Sequence, residues 1–168
     1  RRRAAVAPGR GGRTRLAQSF HADHGRAGHG KTTSVLWLLA LMAEHASTHG
    51  EALPRIALAA PTGKATARLG AAIAARAVLL PSLPLEVATV HRLLGLAPDR
   101  ATPRHHAGAP LPADLVVVDE ASMLDLPLAA KLLEALAPSA RLVLLGDRDQ
   151  LASVEAGHVL GALVQAAG

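Results

Sequence analysis

The sequence predicts an α/β domain: a parallel sheet with helices on both faces, stacked as three layers. Three observations predict it. Short apolar, β-branched runs alternate with longer helix-patterned segments. The conspicuous polar residues follow directly on those runs, where parallel sheets bind ligands. Gly25, Gly30, Lys31 and Thr32 carry the Gly-x4-Gly-Lys-Thr spacing of a phosphate-binding loop.

Taken in order, residues 1–30 form an atypical basic segment rich in Arg and Gly, with no recognisable strand before the loop. Thr32 to Glu44 is an apolar-rich helix, in which Leu36, Leu39, Met42 and Ala43 make a core stripe. "RIALAA", Arg55 to Ala60, is a short buried strand stopped by Pro61, and Gly63 to Ala77 is a helix. Pro81 to Pro84 is a loop, Val87 to Leu94 a short helix or turn, and proline-rich Ala97 to Pro112 a surface excursion. "DLVVVDE" is a buried strand, Leu126 to Leu136 a helix, "RLVLLGD" another buried strand, and Ala156 to Ala166 a closing helix. The ATPase-like body is thus assigned to residues 31–168.

Composition narrows the function. At 168 residues, half of them apolar, the chain can bury one sizeable core. The absence of cysteine excludes disulfides, zinc–thiolate centres and cysteine nucleophiles. The longest apolar run, Val35 to Ala43, is too short to span a bilayer, so a soluble cytoplasmic protein without membrane contact is expected. The net charge of +5 says little about the body, because six of the eighteen basic residues lie between Arg1 and Arg15. Tyr is absent and Phe20 and Trp37 stand alone, which argues against aromatic base-stacking platforms.

The chemistry lies in the loop and the strand ends. Gly25, Gly28 and Gly30 let backbone N–H groups converge on phosphate oxygens; Lys31 supplies charge for the β- and γ-phosphates, Thr32 a magnesium ligand, and Thr33 continues the same turn. "LVVVDE" ends in adjacent carboxylates: Asp119 suits magnesium held through water, and Glu120 suits activation of the attacking water. "LLGDRDQL" places Asp147 and Gln150 where a γ-phosphate could be sensed. "PTGKA" reads equally as a contact to a nucleic-acid backbone through Thr62, Gly63 and Lys64 and as an ordinary strand-to-helix turn. His91 and the pair His105-His106 lack metal-ligand spacing and read as surface or core histidines.

Taken together, "GKTT", "APTGKATARL", "TVHRLLG", "RHHAGAPL", "LVVVDEASMLDLPL" and "LGDRDQLASVEAGHVLG" resemble the RecD family, the alpha subunit of exodeoxyribonuclease V, from about Lys31 to Gly168. "RHHAGAPL" and "GDRDQLASVEAG" are more similar to the RecBCD-associated subunit than to its stand-alone relatives. The resemblance implies a superfamily 1 helicase that moves 5′ to 3′ on single-stranded DNA, of which this chain carries the first of two RecA-like P-loop domains. It assigns Lys31, Thr32, Asp119, Glu120 and Gln150 to ATP and Mg²⁺, and Thr62, Gly63, Lys64, Thr89 and His91 to DNA. It further implies RecB- and RecC-like partners in double-strand break repair and recombination, and a second motor domain that lies outside these residues.

The chain departs from the family in its loop. Where the family reads like "ITGGPGTGKTT" after an apolar strand, polar "HADHGRAGHG" precedes Lys31. Asp23 to Gly30 can be encoded by GAT CAC GGG CGG GCC GGG CAC GGG, and the same bases read one position later spell Ile-Thr-Gly-Gly-Pro-Gly-Thr-Gly. Residues 1–30 are accordingly read as a frame-shifted version of the family's own segment, the rival being a true basic arm. The frame-shift reading expects a poorly packed N-terminus, since the strand meant for the sheet's centre has become polar. It also raises a second functional reading, a catalytically inactive domain that retains only DNA or partner binding.

Overall fold

The computed structural model describes residues 15–17, 30–75, 83–97 and 102–146. Within them, β1 (Arg15–Ala17), β2 (Ile56–Ala60), β3 (Leu85–Thr89), β4 (Leu115–Val118) and β5 (Arg141–Leu144) pair in the order β1-β5-β4-β2-β3. Every pairing is parallel. The helices are α1 (Gly30–His49), α2 (Gly63–Ala74), the four-residue α3 (Val90–Leu93) and α4 (Leu126–Glu134).

Alternation along the strands sorts the core into two layers. Ile56 and Leu58 of β2, Leu115 and Val117 of β4 and Val143 of β5 belong to one apolar cluster with Val35, Leu36 and Leu39 of α1 and Leu69 of α2. Ala57, Ala59, Val116, Val118 and Leu142 face the other way, into a cluster with Val90 and Leu93 of α3 and Leu128 and Leu132 of α4. β2 and β4 are buried along their whole length, as strands covered on both faces must be. The three-layer α/β fold is the expected one, and Leu36, Leu39 and Ala43 are core while Met42 is half-buried.

Two strands depart from the sequence reading. Val87 to Leu94 is not one helix or turn: Val87 to Thr89 complete β3, and the helix begins only at Val90. In "LEVAT" Glu86 is exposed, Ala88 buried and the other three residues half-buried, so its strand signal is weak and merges with the apolar start of α3. The stretch before the loop also contains a strand, since Arg15, Leu16 and Ala17 pair with Arg141, Leu142 and Val143. Among the described residues it ends the sheet instead of occupying its centre. The closing helix expected over Ala156 to Ala166 lies outside the described residues.

The excursion before β4 is tethered. His105 donates its backbone N–H to Leu94 O at 3.1 Å, His106 and Ala109 close a tight turn through reciprocal backbone bonds, and Leu111 is buried after donating to Ala135 O. Gly95 takes φ +65°, and a side chain there would collide with Cβ of Arg104 at 2.5 Å.

Candidate nucleotide and nucleic-acid site

A sheet of parallel strands presents all its carboxyl ends along one edge, and here that edge collects the polar residues. From one side to the other come the end of β1 at Ala17, Gly146 after β5, Asp119 and Glu120 after β4, Thr62 to Lys64 after β2, and Thr89 with His91 at the end of β3. The acids therefore stand between the start of α2 and the β5 end.

Gly30, Lys31, Thr32 and Thr33 form the first turn of α1, which contains no acidic residue. Their N–H groups are those a helix leaves without intrahelical partners, so this end is positive and suited to an anion. Gly25, Gly28, Asp147 and Gln150 lie outside the described residues.

The backbone around the acids is held from both neighbours. Asp119 donates its N–H to Ala59 O on β2 at 2.8 Å, Leu145 donates to Val118 O at 2.8 Å, and Ala121 donates to Leu145 O at 2.7 Å. Between these anchors Glu120 adopts φ 53°, ψ 37°, and it is the one non-glycine with positive φ among the described residues. A left-handed conformation costs an L-residue roughly 1–2 kcal/mol. Such a cost persists where the surroundings enforce it, and such residues concentrate at functional sites. Asp119 supports the turn by accepting the Glu120 N–H on Oδ1 at 2.9 Å.

Glu120 also has a distant partner. The Arg68 guanidinium on α2 donates one hydrogen bond, Nη1 to Oε1, at 3.2 Å. The side chains are 63% and 31% exposed, so solvent screens the pair, and such contacts contribute about 0–1 kcal/mol. Nothing in the spacing of two residues so far apart in the chain signalled this contact; the left-handed turn at Glu120 was equally illegible.

The DNA-facing candidates are placed as follows. Thr62 caps α2, its hydroxyl accepting the N–H of Ala65 at 3.3 Å. Thr89 caps α3 by accepting from the N–H of Arg92 at 3.2 Å. Gly63, Lys64 and His91 are exposed. The two threonines thus have a structural task whatever else they bind. Among the described residues no group of three or more His, Asp or Glu could hold a metal by itself, and His91, His105 and His106 do not assemble into one.

A family model described as an AAA domain matches residues 13–156. The chain is 51% identical to the RecBCD enzyme subunit RecD of Mycolicibacterium smegmatis over 160 residues, covering 91% of this chain and 29% of that protein. It is 42% identical to the RecBCD enzyme subunit RecD of Haemophilus influenzae over 165 residues, covering 90% of this chain and 25% of that protein. With the ATP-dependent RecD2 DNA helicase of Deinococcus radiodurans the identity is 46% over 112 residues, 67% of this chain and 14% of that protein. The chain spans less than a third of the length of these relatives. No helix among the described residues is long and apolar enough to cross a membrane. With two-layered packing on a parallel sheet, paired acids at the β4 end and these matches, the chain belongs to the AAA domain family and, within it, is a homologue of RecD.

Proposed function

We propose that this chain is the ATP-binding motor domain of a bacterial RecD-type DNA helicase, moving 5′ to 3′ in a RecBCD-like complex with RecB- and RecC-like subunits during double-strand break repair and recombination. The observation that carries the reading is the pair Asp119 and Glu120, fixed at the carboxyl edge of the sheet by backbone bonds to both neighbouring strands, with Glu120 in a strained left-handed turn.

Gly25, Gly28 and Gly30 would offer backbone N–H groups to the phosphates, and Lys31 would neutralise the β- and γ-phosphates. An all-oxygen set of Thr32 hydroxyl and Asp119 carboxylate suits a hard cation such as Mg²⁺. Bound ATP and Mg²⁺ supply the phosphoryl group to be cleaved and the charge that steadies it. Glu120 orients water and takes its proton. Thr33 extends the anion-binding turn, while Asp147 and Gln150 follow the β5 end and respond to the γ-phosphate. Single-stranded or duplex DNA lies along the β2 and β3 side of the same edge, against Thr62, Gly63, Lys64, Thr89 and His91. The Thr62 hydroxyl accepts from Ala65 and keeps its own proton to donate to a phosphate.

Calorimetric titration with ATP and Mg²⁺ tests this reading, comparing the chain with a version whose residues 23–30 read Ile-Thr-Gly-Gly-Pro-Gly-Thr-Gly behind a rebuilt apolar strand. Binding by both makes "DHGRAGHGKTT" a working loop. Binding by the rebuilt version alone assigns residues 1–30 to a shifted reading frame and favours an inactive domain for the present sequence. Binding by neither overturns the nucleotide reading.

A further inference from the structure

We propose that Arg68 is a positioning residue that couples nucleic-acid binding to ATP hydrolysis by holding Glu120 aside until a phosphate draws it away. The inference rests on the reading of Glu120 as the water-activating group. Arg68 contacts Glu120 through a single bond, Nη1 to Oε1 at 3.2 Å. With that bond made, the carboxylate is aimed at α2 instead of at the water beside a γ-phosphate.

The backbone of Glu120 is held by its neighbours on both sides, so the variable part is its side chain. Arg68, by contrast, is 63% exposed on its side chain and long enough to swing.

What would draw it away is set by α2. Lys64 and Arg68 are four residues apart on this helix, both exposed, and the exposed positions 63, 64, 67 and 68 form one stripe running from its N-terminus. The first turn carries no acid. A nucleic-acid phosphate seated at Gly63 and Lys64 therefore approaches the helix end that Arg68 can also reach. There it competes with Glu120 for the guanidinium, and a phosphate accepts two parallel N–H bonds where Glu120 takes one. Differential contact of this kind is what a ligand needs to shift a two-state side chain. Because β2 and β4 are bonded directly, through Asp119 N–H to Ala59 O, the helix start and the acid keep a fixed spacing while the side chains exchange.

The test is steady-state ATP hydrolysis by the full-length gene product, with and without saturating oligothymidylate. In Arg68→Ala the DNA-free kcat rises about two- to fivefold, the range a screened pair of this kind allows. The KM for ATP and the DNA-saturated kcat stay within twofold, so the stimulation ratio falls. Arg68→Lys, which keeps a cation, retains the low DNA-free rate, and Arg68→Gln follows the alanine variant. If DNA-free and DNA-saturated rates instead fall together, or neither changes, the coupling role is wrong and Arg68 is a surface residue. Glu120→Gln separates the premise from the inference: were it to hydrolyse ATP as fast as the unmodified protein, the reading of the site would itself fail.

Discussion

Asp119 accepts the backbone N–H of its neighbour Glu120 on Oδ1 at 2.9 Å, so one acid of the pair shapes the turn that presents the other. Asp119→Asn keeps an acceptor oxygen and is expected to hold stability within about 0.5 kcal/mol, whereas Asp119→Ala loses roughly 1 kcal/mol with that bond. Both remove the charge proposed to face Mg²⁺, and ATP turnover falls about 10–100-fold in each. Urea unfolding beside a turnover assay separates the effects; full activity in Asp119→Asn would remove Asp119 from the metal site.

The left-handed turn at Glu120 can be isolated by comparing two variants that both delete its carboxylate. Glu120→Ala keeps the steric cost of φ 53°, and Glu120→Gly relieves it. Relief of roughly 1–2 kcal/mol in the folded state outweighs the extra chain entropy of glycine, about 0.5–1 kcal/mol. The glycine variant is therefore expected to be the more stable of the two by about 1 kcal/mol, read from denaturant midpoints, although both lose hydrolysis. Equal stabilities would mean that the turn carries no strain.

How much of this was legible follows from where the signals lie. β4 was plain in "LVVV" because a strand covered on both faces is apolar throughout, and "RLVLL" disclosed β5 in the same way. β3 was not, since Glu86 interrupts a short run in which only Ala88 is fully buried, and the helix follows without a break. Three residues, Arg15 to Ala17, are too few for any period to show, and their pairing with β5 depends on residues far along the chain. Asp119 and Glu120 were legible as a strand-end pair; the hold of Arg68 on Glu120 was not, because a contact between a helix and the end of a neighbouring strand leaves no local pattern.

On α1, burial divides two leucines of similar sequence appearance. Leu39 is fully buried against the sheet, while Leu41 is 60% exposed. Leu39→Ala is expected to cost about 2–5 kcal/mol through lost burial and a cavity, and Leu41→Ala less than about 0.5 kcal/mol. Thermal or denaturant unfolding checks both. A large loss at Leu41 would place a further covering element over that face of the helix.

Thr62 caps α2 and is proposed to contact DNA, and the two roles can be separated. Thr62→Ala loses roughly 1 kcal/mol with the cap. Thr62→Asp retains an acceptor for the Ala65 N–H and suits the positive helix end, so stability is preserved. Its negative charge nevertheless repels a phosphate beside Lys64, and affinity for single-stranded DNA is expected to fall about tenfold, equivalent to roughly 1.4 kcal/mol. Lys64→Ala should weaken DNA binding without regard to sequence and lower the salt slope by about 1. Fluorescence anisotropy across a salt series reads both variants; unchanged affinity in Thr62→Asp would leave Thr62 a cap alone.

At the opposite edge of the sheet, Arg55 and Asp114 join the amino ends of β2 and β4. The Asp114 carboxylate accepts from the Arg55 guanidinium at 3.0 and 3.3 Å and from the Arg55 backbone N–H at 2.8 Å. The guanidinium bonds first, then the backbone bond, hold Asp114 below its ordinary range, and the same contact raises Arg55 above its own. A carboxylate whose folded pKa is depressed stabilises fully above its unfolded value, about 3.9, and that contribution disappears as the pH falls through the folded value. Arg55, shifted upward, loses its contribution only in strongly alkaline solution. Both side chains are about half exposed, so the effect is modest. Asp114→Asn is thus expected to unfold at lower urea than the unmodified chain at pH 7, with the gap narrowing as the pH falls below the unfolded value of about 3.9 toward the folded one. A gap that stays constant as the pH is lowered through that range would assign the stabilisation to hydrogen bonding that is indifferent to the charge of Asp114.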